Sequence, residues 1–515
     1  AGAVVGEATV SGRTAADITL PIDPALLSDG VNTVELLGLA GDLVAVDAFT
    51  VRYERVTKAV DDRLRMPALA GQLATASGFR RGDIRLLDLS DPLRPRAPAI
   101  RILQDGATYR AVWRQSARSG LYYLATGAGV RSPELVTDVF SELLSTANAA
   151  DYLMIVEPEW ISTAETLAFY RQAQGLSVML VSIEDVYDEF AAGIEDPRAI
   201  RDFLSYAAAS WATPPRYAVL VGHGTYDFRD WYGLGGNVIP PLLWSRGDNS
   251  SASLFATDAP FADGDGDGVP SVALGRLPVL SEAELQAHID KIIAYESLGD
   301  VDWDHRIGLV ADDVDGAGDF PGDLRRLANL LPSGFDDLEV FLDDEPSAAS
   351  ARQRLLDEIA AGLAQLHYVG HGGLDRLSQE GLLTVADVDG LGNDGRPGLL
   401  SAASCTIGLH SLPGIDSLAE HMLLRPTGGS IAAYAPAWLS ENDRASLLLD
   451  RFFRQLYIAG DRLGDAARRA QESAAAIGTP LELLYTYQLL GDPALVLQLR
   501  PEPSTPSCTE DCGAG

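Results

Sequence analysis

The sequence predicts an α/β protein, a largely parallel sheet in two related subdomains, preceded by an all-β, sandwich-like module. Three observations predict it. Short apolar or alternating runs split by Gly, Pro and Asp crowd the first 140 or so residues, as the small strands of a sandwich do. From Asp151 onward, buried-strand runs alternate with helical patterns, the mark of a mainly parallel sheet. That alternation restarts at Ile307, and each round contains a strand that runs into Gly-His-Gly.

The elements follow in order. In the first module the runs are Ala8-Thr9-Val10, Ile18-Thr19-Leu20, Val34 to Leu37, Phe49 to Tyr53, Ile84 to Leu87, Tyr109 to Trp113 and Gly120 to Leu124. The module holds no His, no Cys and no clustered polar motif, so it reads as a structural or docking unit. In the first α/β half, Tyr152 to Val156 and Ser177 to Val181 are strands around a helix through Leu167 to Tyr170. A helix from Pro197 to Trp211 opens with Pro in its first turn. The strand Tyr217 to Val221 runs into Gly222-His223-Gly224, and Ser271 to Arg276 precedes a helix from Glu282 to Glu296.

In the second half, the strand Ile307 to Ala311 enters Asp312-Asp313. A helix around Leu324 to Leu331, a strand at Leu338 to Leu342 and a helix from Ala348 to Leu363 come next. Leu366 to Val369 runs into Gly370-His371-Gly372-Gly373, and Leu399 to Ala403 into Ser404-Cys405. Gly429 to Tyr434 is the last core strand, before helices covering Asn442 to Ile477. The expected boundaries are a β-rich module at 1–140, subdomains at 150–300 and 301–498, and a Pro-, Ser- and Gly-containing tail at 499–515.

Composition narrows the function. The net charge is −34, with 73 acidic against 39 basic residues. Nucleic acid and anionic membrane are poor partners for such a surface, because phosphate binding draws on clustered Lys and Arg. No apolar run reaches the eighteen or so residues of a membrane span. The chain starts Ala1-Gly2-Ala3, without Met or a charged-then-apolar leader. A processed, exported piece is expected, with any surface attachment through flanking regions. Cys508 and Cys512 in the tail fit a small disulfide loop, a metal pair or two free thiols alike.

Cys405 is alone in the body of the chain, and a lone Cys is usually a small hydrophobe. Its setting points elsewhere. Ligands of open α/β sheets bind beyond the carboxyl ends of the strands. His371 and Cys405 each follow a strand directly, 34 residues apart, which is room for one crossover between neighbouring strands. An imidazole there would help a thiol become a thiolate and later protonate a leaving amine. Gly372 lets backbone approach a scissile carbonyl, and its N–H with that of Cys405 would form an oxyanion hole. His223 competes for the role of base.

Tyr368-Val369-Gly370-His371-Gly372-Gly373 and Ala403-Ser404-Cys405-Thr406-Ile407-Gly408 resemble the His-Gly and Ala-x-Cys blocks of the gingipain family of cysteine peptidases. Three further blocks agree in order: Gly275 to Val279 before Lys291 to Glu296, Ser417 to Glu420 before Gly428 to Ala433, and Leu489 to Leu495. The resemblance spans roughly residues 150 to 498. It implies the caspase–gingipain type of α/β fold, Cys405 as nucleophile and His371 as base, with His223 left a structural or cleft-lining role. It further implies an acid orienting the imidazole, for which Asp313 matches best, with Asp312 adjacent. Arginine-directed relatives carry an acidic pocket residue on the loop that here offers Asp315, Asp319 and Asp323. Trp438, after the last core strand, is a candidate pocket wall.

No cofactor is expected for catalysis. A structural calcium is expected at Asp258, Asp263, Asp265 and Asp267, where carboxylates alternate with Gly so that oxygens can converge on a hard cation. The expected activity is a bacterial, secreted or surface endopeptidase acting on peptides or proteins, with a basic residue at the cleaved position. The alternatives are a sortase-like transpeptidase using the same dyad, a binding module that has lost catalysis, and a calcium-dependent adhesin.

Overall fold

The computed structural model describes residues 4–8, 17–28, 31–35, 37, 50–53, 55–68, 71–114, 120–133, 137, 140–245, 254–299, 301–458 and 461–499. The chain forms two compact units, one over residues 31–139 and one over 140–515 together with 1–30. Cys508 and Cys512 lie outside the described residues.

The smaller unit holds two three-stranded antiparallel sheets. One orders Arg63–Ala68, Gly120–Ala125 and Arg85–Asp88; the other Leu73–Phe79, Thr108–Arg114 and Arg101–Asp105. Alternation aims their residues: along Thr108–Arg114, Ala111 and Trp113 are buried while Arg110 and Arg114 face water. Both sheets share one core, with Leu64, Phe79, Trp113 and Tyr122 in it. The runs at 18–20, 34–37 and 49–53 are a correction, since their described residues form no strand. Ile18, Val34, Leu37, Val51 and Tyr53 are exposed; alternation alone makes no strand without an edge to pair with. Thr9 and Val10 of the first run lie outside the described residues.

The larger unit is built on one ten-stranded sheet. In chain order its strands are β1 (Tyr152–Val156), β2 (Val178–Ser182), β3 (Tyr217–Val221), β4 (Ala273–Leu277), β5 (Arg306–Ala311), β6 (Asp336–Phe341), β7 (Gln365–Val369), β8 (Gly398–Ala403), β9 (Ser430–Pro436) and β10 (Tyr487–Leu490). Their order across the sheet is β6-β5-β7-β8-β9-β10-β4-β3-β1-β2. The two halves read from the sequence thus meet in a continuous sheet. β1, β3, β7 and β9 are buried along their whole lengths, as parallel strands covered on both faces must be.

The helices that cover them are α1 (Ile161–Ala173), α2 (Ile183–Ala191), α3 (Arg198–Ser210), α4 (Glu282–Glu296), α5 (Phe320–Ala328), α6 (Ala348–Ala361), α7 (Leu418–Leu424), α8 (Asn442–Gln455) and α9 (Leu463–Ala475). Capping sets several boundaries. Ser281, Ser347 and Ser417 each accept the N–H of the residue three further on. α5 begins earlier than the apolar pattern predicts, because Asp319 accepts the Gly322 N–H and Pro321 occupies its first turn.

Strand direction changes at one seam. β1 to β4 run parallel to one another, and β4 pairs parallel with β10. β5 to β9 also run parallel to one another, but β9 pairs antiparallel with β10. The carboxyl ends of the two halves therefore open on opposite edges of the sheet. The His223 turn after β3 and the His371 turn after β7 therefore leave the sheet in opposite directions.

Candidate functional site

β7 and β8 are direct neighbours, paired from Gln365 with Leu399 to Val369 with Ala403. Each ends at a turn of small residues, and the pairing brings the turns together. The Gly370 N–H donates to the Ala403 carbonyl at 3.2 Å. A Cβ on Gly372 would lie 2.3 Å from Ser404 Oγ and 2.9 Å from the Cys405 carbonyl oxygen. Only glycine permits that approach, so His371-Gly372 lies against Ser404-Cys405.

The chain turns sharply after the thiol. Thr406 has φ of +48°, a left-handed conformation that a β-branched residue adopts at a cost of about 1–3 kcal/mol. It is held there by its N–H to the Trp438 carbonyl at 3.1 Å and by the Ile407 N–H to the Cys405 carbonyl at 2.6 Å. Cys405 is partly exposed. The Ser440 N–H points at its Sγ at 3.5 Å, with the Ser440 carbonyl oxygen 3.7 Å away.

His371 is fixed on three sides. Its N–H donates to Asp312 Oδ2 at 3.0 Å, and its carbonyl accepts the Tyr368 hydroxyl at 2.5 Å. Phe320 meets the ring edge-on, with centroids 5.5 Å apart. Its Nε2 lies 3.0 Å from Asp315 Oδ2, and that hydrogen bond holds the Asp315 carboxyl below its ordinary range. Asp315 is itself aimed by its turn, since its Oδ1 accepts the Ala317 N–H at 2.7 Å.

This geometry redistributes the predicted acids. Asp315, expected in a substrate pocket, is the carboxylate on the imidazole. Asp313, expected there, makes no hydrogen bond to the ring among the described residues; it sits beside Asp312 and Glu380. Asp312 is a backbone clamp, accepting the Asp313 and His371 N–H groups. Burial pushes the Asp312 carboxyl up to about 6, opposed by those two hydrogen bonds. Asp319 caps α5, and Asp323 is bound by Asn442, Ser446 and Arg326. Neither offers an unengaged carboxylate. Trp438 stacks on Phe255 with rings 5.9 Å apart and 8° from parallel, next to the Cys405 turn. Ser440 and Phe320 escaped the sequence reading, having no motif of their own.

The acidic loop is split. Asp258 is a buried counter-ion, with both oxygens on Arg276 at 2.5 and 2.7 Å, and does not join the other three. Asp263, Asp265 and Asp267 do gather, and they are the residues that could hold calcium. Asp263 also closes the loop by itself, accepting N–H groups of Gly266, Asp267 and Gly268 and the Tyr485 hydroxyl.

The model of peptidase family C25 matches residues 145–498. Among solved structures, the complex of Porphyromonas gingivalis RgpB pro- and mature domains is similar at 18% identity with a TM-score of 0.55. That match covers 67% of this chain and 79% of the other. The Arg-specific cysteine proteinase gingipain R is similar at 17% identity and a TM-score of 0.55, over 70% of this chain and 80% of that one. At such identities the likeness is one of fold. No curated protein matches the chain.

Proposed function

Because the chain belongs to peptidase family C25 and is a cysteine peptidase, we propose that Cys405 is its nucleophile and His371 its proton carrier. The observation that carries this reading is the direct contact of the two turns at the ends of β7 and β8. A carboxylate at Nε2 can only accept, so Nε2 carries the proton shared with Asp315 and Nδ1 is the basic nitrogen. The thiol proton passes to Nδ1 as sulfur attacks the scissile carbonyl. The Gly372 and Cys405 N–H groups receive the oxyanion. The imidazolium then protonates the departing amine, and water hydrolyses the thioester.

Asp315 acts as a positioning residue. It and His371 are both substantially exposed, so their pairing is screened. Asp315→Asn is expected to lower kcat/KM by less than about ten-fold, measured on a fluorogenic peptide. An unchanged kcat/KM would remove Asp315 from the machinery.

A basic residue at the cleaved position belongs to the same reading. It is supported by the net charge of −34, with Trp438 as a flat wall for the substrate. A bacterial, secreted or surface location belongs to the same reading. Among the described residues no helix is long and apolar enough to cross a membrane. Digestion of a peptide library tests activity and preference together. Cuts concentrated after Arg or Lys are expected; cuts spread evenly over other residues would discard the preference, and no cuts at all the activity.

A further inference from the structure

The turn after β3 meets the start of α7, whose Leu418 and Ala419 N–H groups bond to the Leu374 and Ile407 carbonyls. His223 there is 2% exposed. Its Nδ1 lies 2.7 Å from the Gly236 carbonyl oxygen. A carbonyl only accepts, so Nδ1 carries a proton and a neutral ring presents a lone pair at Nε2. What Nε2 faces is Glu420 Oε1, 3.3 Å away.

Glu420 is fully buried. Its Oε2 is engaged, accepting the Ser417 N–H at 2.7 Å and the Ser417 hydroxyl at 2.9 Å in a capping box. Oε1 is what remains. Neither His223 Nε2 nor Glu420 Oε1 has a hydrogen-bond partner. With a neutral ring, two buried acceptors would face one another, which is costly unless a proton or a metal ion lies between them. The Asp416 carboxylate joins them, and one ligand atom from each residue lies within 4.8 Å of the other two.

We propose that His223, Asp416 and Glu420 bind a divalent transition metal, zinc first. The charge balance favours a metal over a proton. Two carboxylates and a neutral imidazole are neutralised by a dication, whereas one proton shared by His223 and Glu420 leaves the charge of the partly exposed Asp416 unmatched. The Arg276 guanidinium nearby does not supply the difference, being already paired with Asp258. An imidazole ligand selects zinc and its neighbours over calcium or magnesium, which take oxygen ligands. The outer contacts are those of a metal site as well: Nδ1–H on a carbonyl orients the ring, and the helix cap orients the glutamate. Such an ion staples the β3 turn of the first half to the far end of the segment that starts at Cys405.

The test uses the full chain stripped with a chelator and titrated with Co²⁺ and Zn²⁺ alone. One equivalent is expected to bind, with weak visible cobalt bands and no intense sulfur-to-cobalt band, and zinc should raise Tm. Asp416→Asn, at a partly exposed position that leaves the fold intact, should weaken zinc binding by at least about ten-fold and abolish the gain in Tm. His223→Gln should do the same. Stripped protein that binds neither ion overturns the proposal, as does undiminished binding by both variants. A strong sulfur-to-cobalt band would place the ion on a cysteine and overturn it too.

Discussion

Cys405→Ala is expected to reduce peptide cleavage by at least about 10,000-fold and to leave the fold in place. The sulfur is partly exposed, and its hydrogen-bond contacts are with the backbone of Ser440 at 3.5–3.7 Å, so its loss removes little packing. The turn that presents it is held by other atoms, chiefly the Thr406 N–H on Trp438 and the Ser440 hydroxyl on the Ser404 carbonyl. Activity should therefore collapse while Tm stays close to that of the parent. Paired kcat/KM and melting measurements check this, and cleavage surviving in the variant would place the nucleophile elsewhere. Thiol alkylation mapped by mass spectrometry should silence the parent enzyme in step with label at Cys405. Added amine separates the two fates of the thioester: products ligated to amine alone, without hydrolysis, would make the enzyme a transpeptidase.

Asp492→Ala is expected to destabilise the larger unit by about 3–5 kcal/mol, the usual effect of removing one partner from a buried ion pair. Asp492 has no exposure. It accepts Arg171 Nε at 3.0 Å and Nη2 at 2.6 Å, the Tyr152 hydroxyl at 3.0 Å and the Ala494 N–H at 2.7 Å. The same guanidinium reaches Glu296 at 2.7 Å and Gln174 at 2.8 Å. One cluster thus ties β1, α1, the end of α4 and the chain beyond β10. Truncation leaves the buried guanidinium with one counter-charge and the Tyr152 hydroxyl without its acceptor. Urea unfolding followed by a probe in that unit should show a lower midpoint at unchanged slope. A loss below about 1 kcal/mol would mean that water enters and solvates Arg171. The Leu490-Gly491-Asp492-Pro493 motif in the sequence is, on this account, a structural clamp.

Burial decides what can be read from the sequence. β1, β3 and β7 are enclosed on both faces, so they stand out as unbroken apolar runs close to their structural limits. Cys405 and His371 are legible because each directly follows such a run and because a 34-residue crossover delivers neighbouring strands. Asp315 is not. It is 56 residues from the imidazole it binds, in a polar loop whose path depends on a turn at Ala317 and a cap at Asp319. Any of Asp312, Asp313, Asp315 and Asp319 satisfies the pattern, and only the folded loop chooses. The reversal at β10 is equally invisible, since the four residues Tyr487 to Leu490 carry no sign of direction. Yet that reversal points the His223 strand against the Cys405 strand and gives the histidine other company.

β10 has a further consequence, for biosynthesis. It is the keystone between strands made early and strands made late, and it spans Tyr487–Leu490. A ribosome that has delivered β1 to β9 has released every residue of the proposed dyad, yet no strand joins the two slabs of sheet. Until residue 490 emerges, β4 and β9 each present an unpaired edge, the kind that recruits other chains. A nascent chain that stalls before that strand is therefore both incomplete and adhesive.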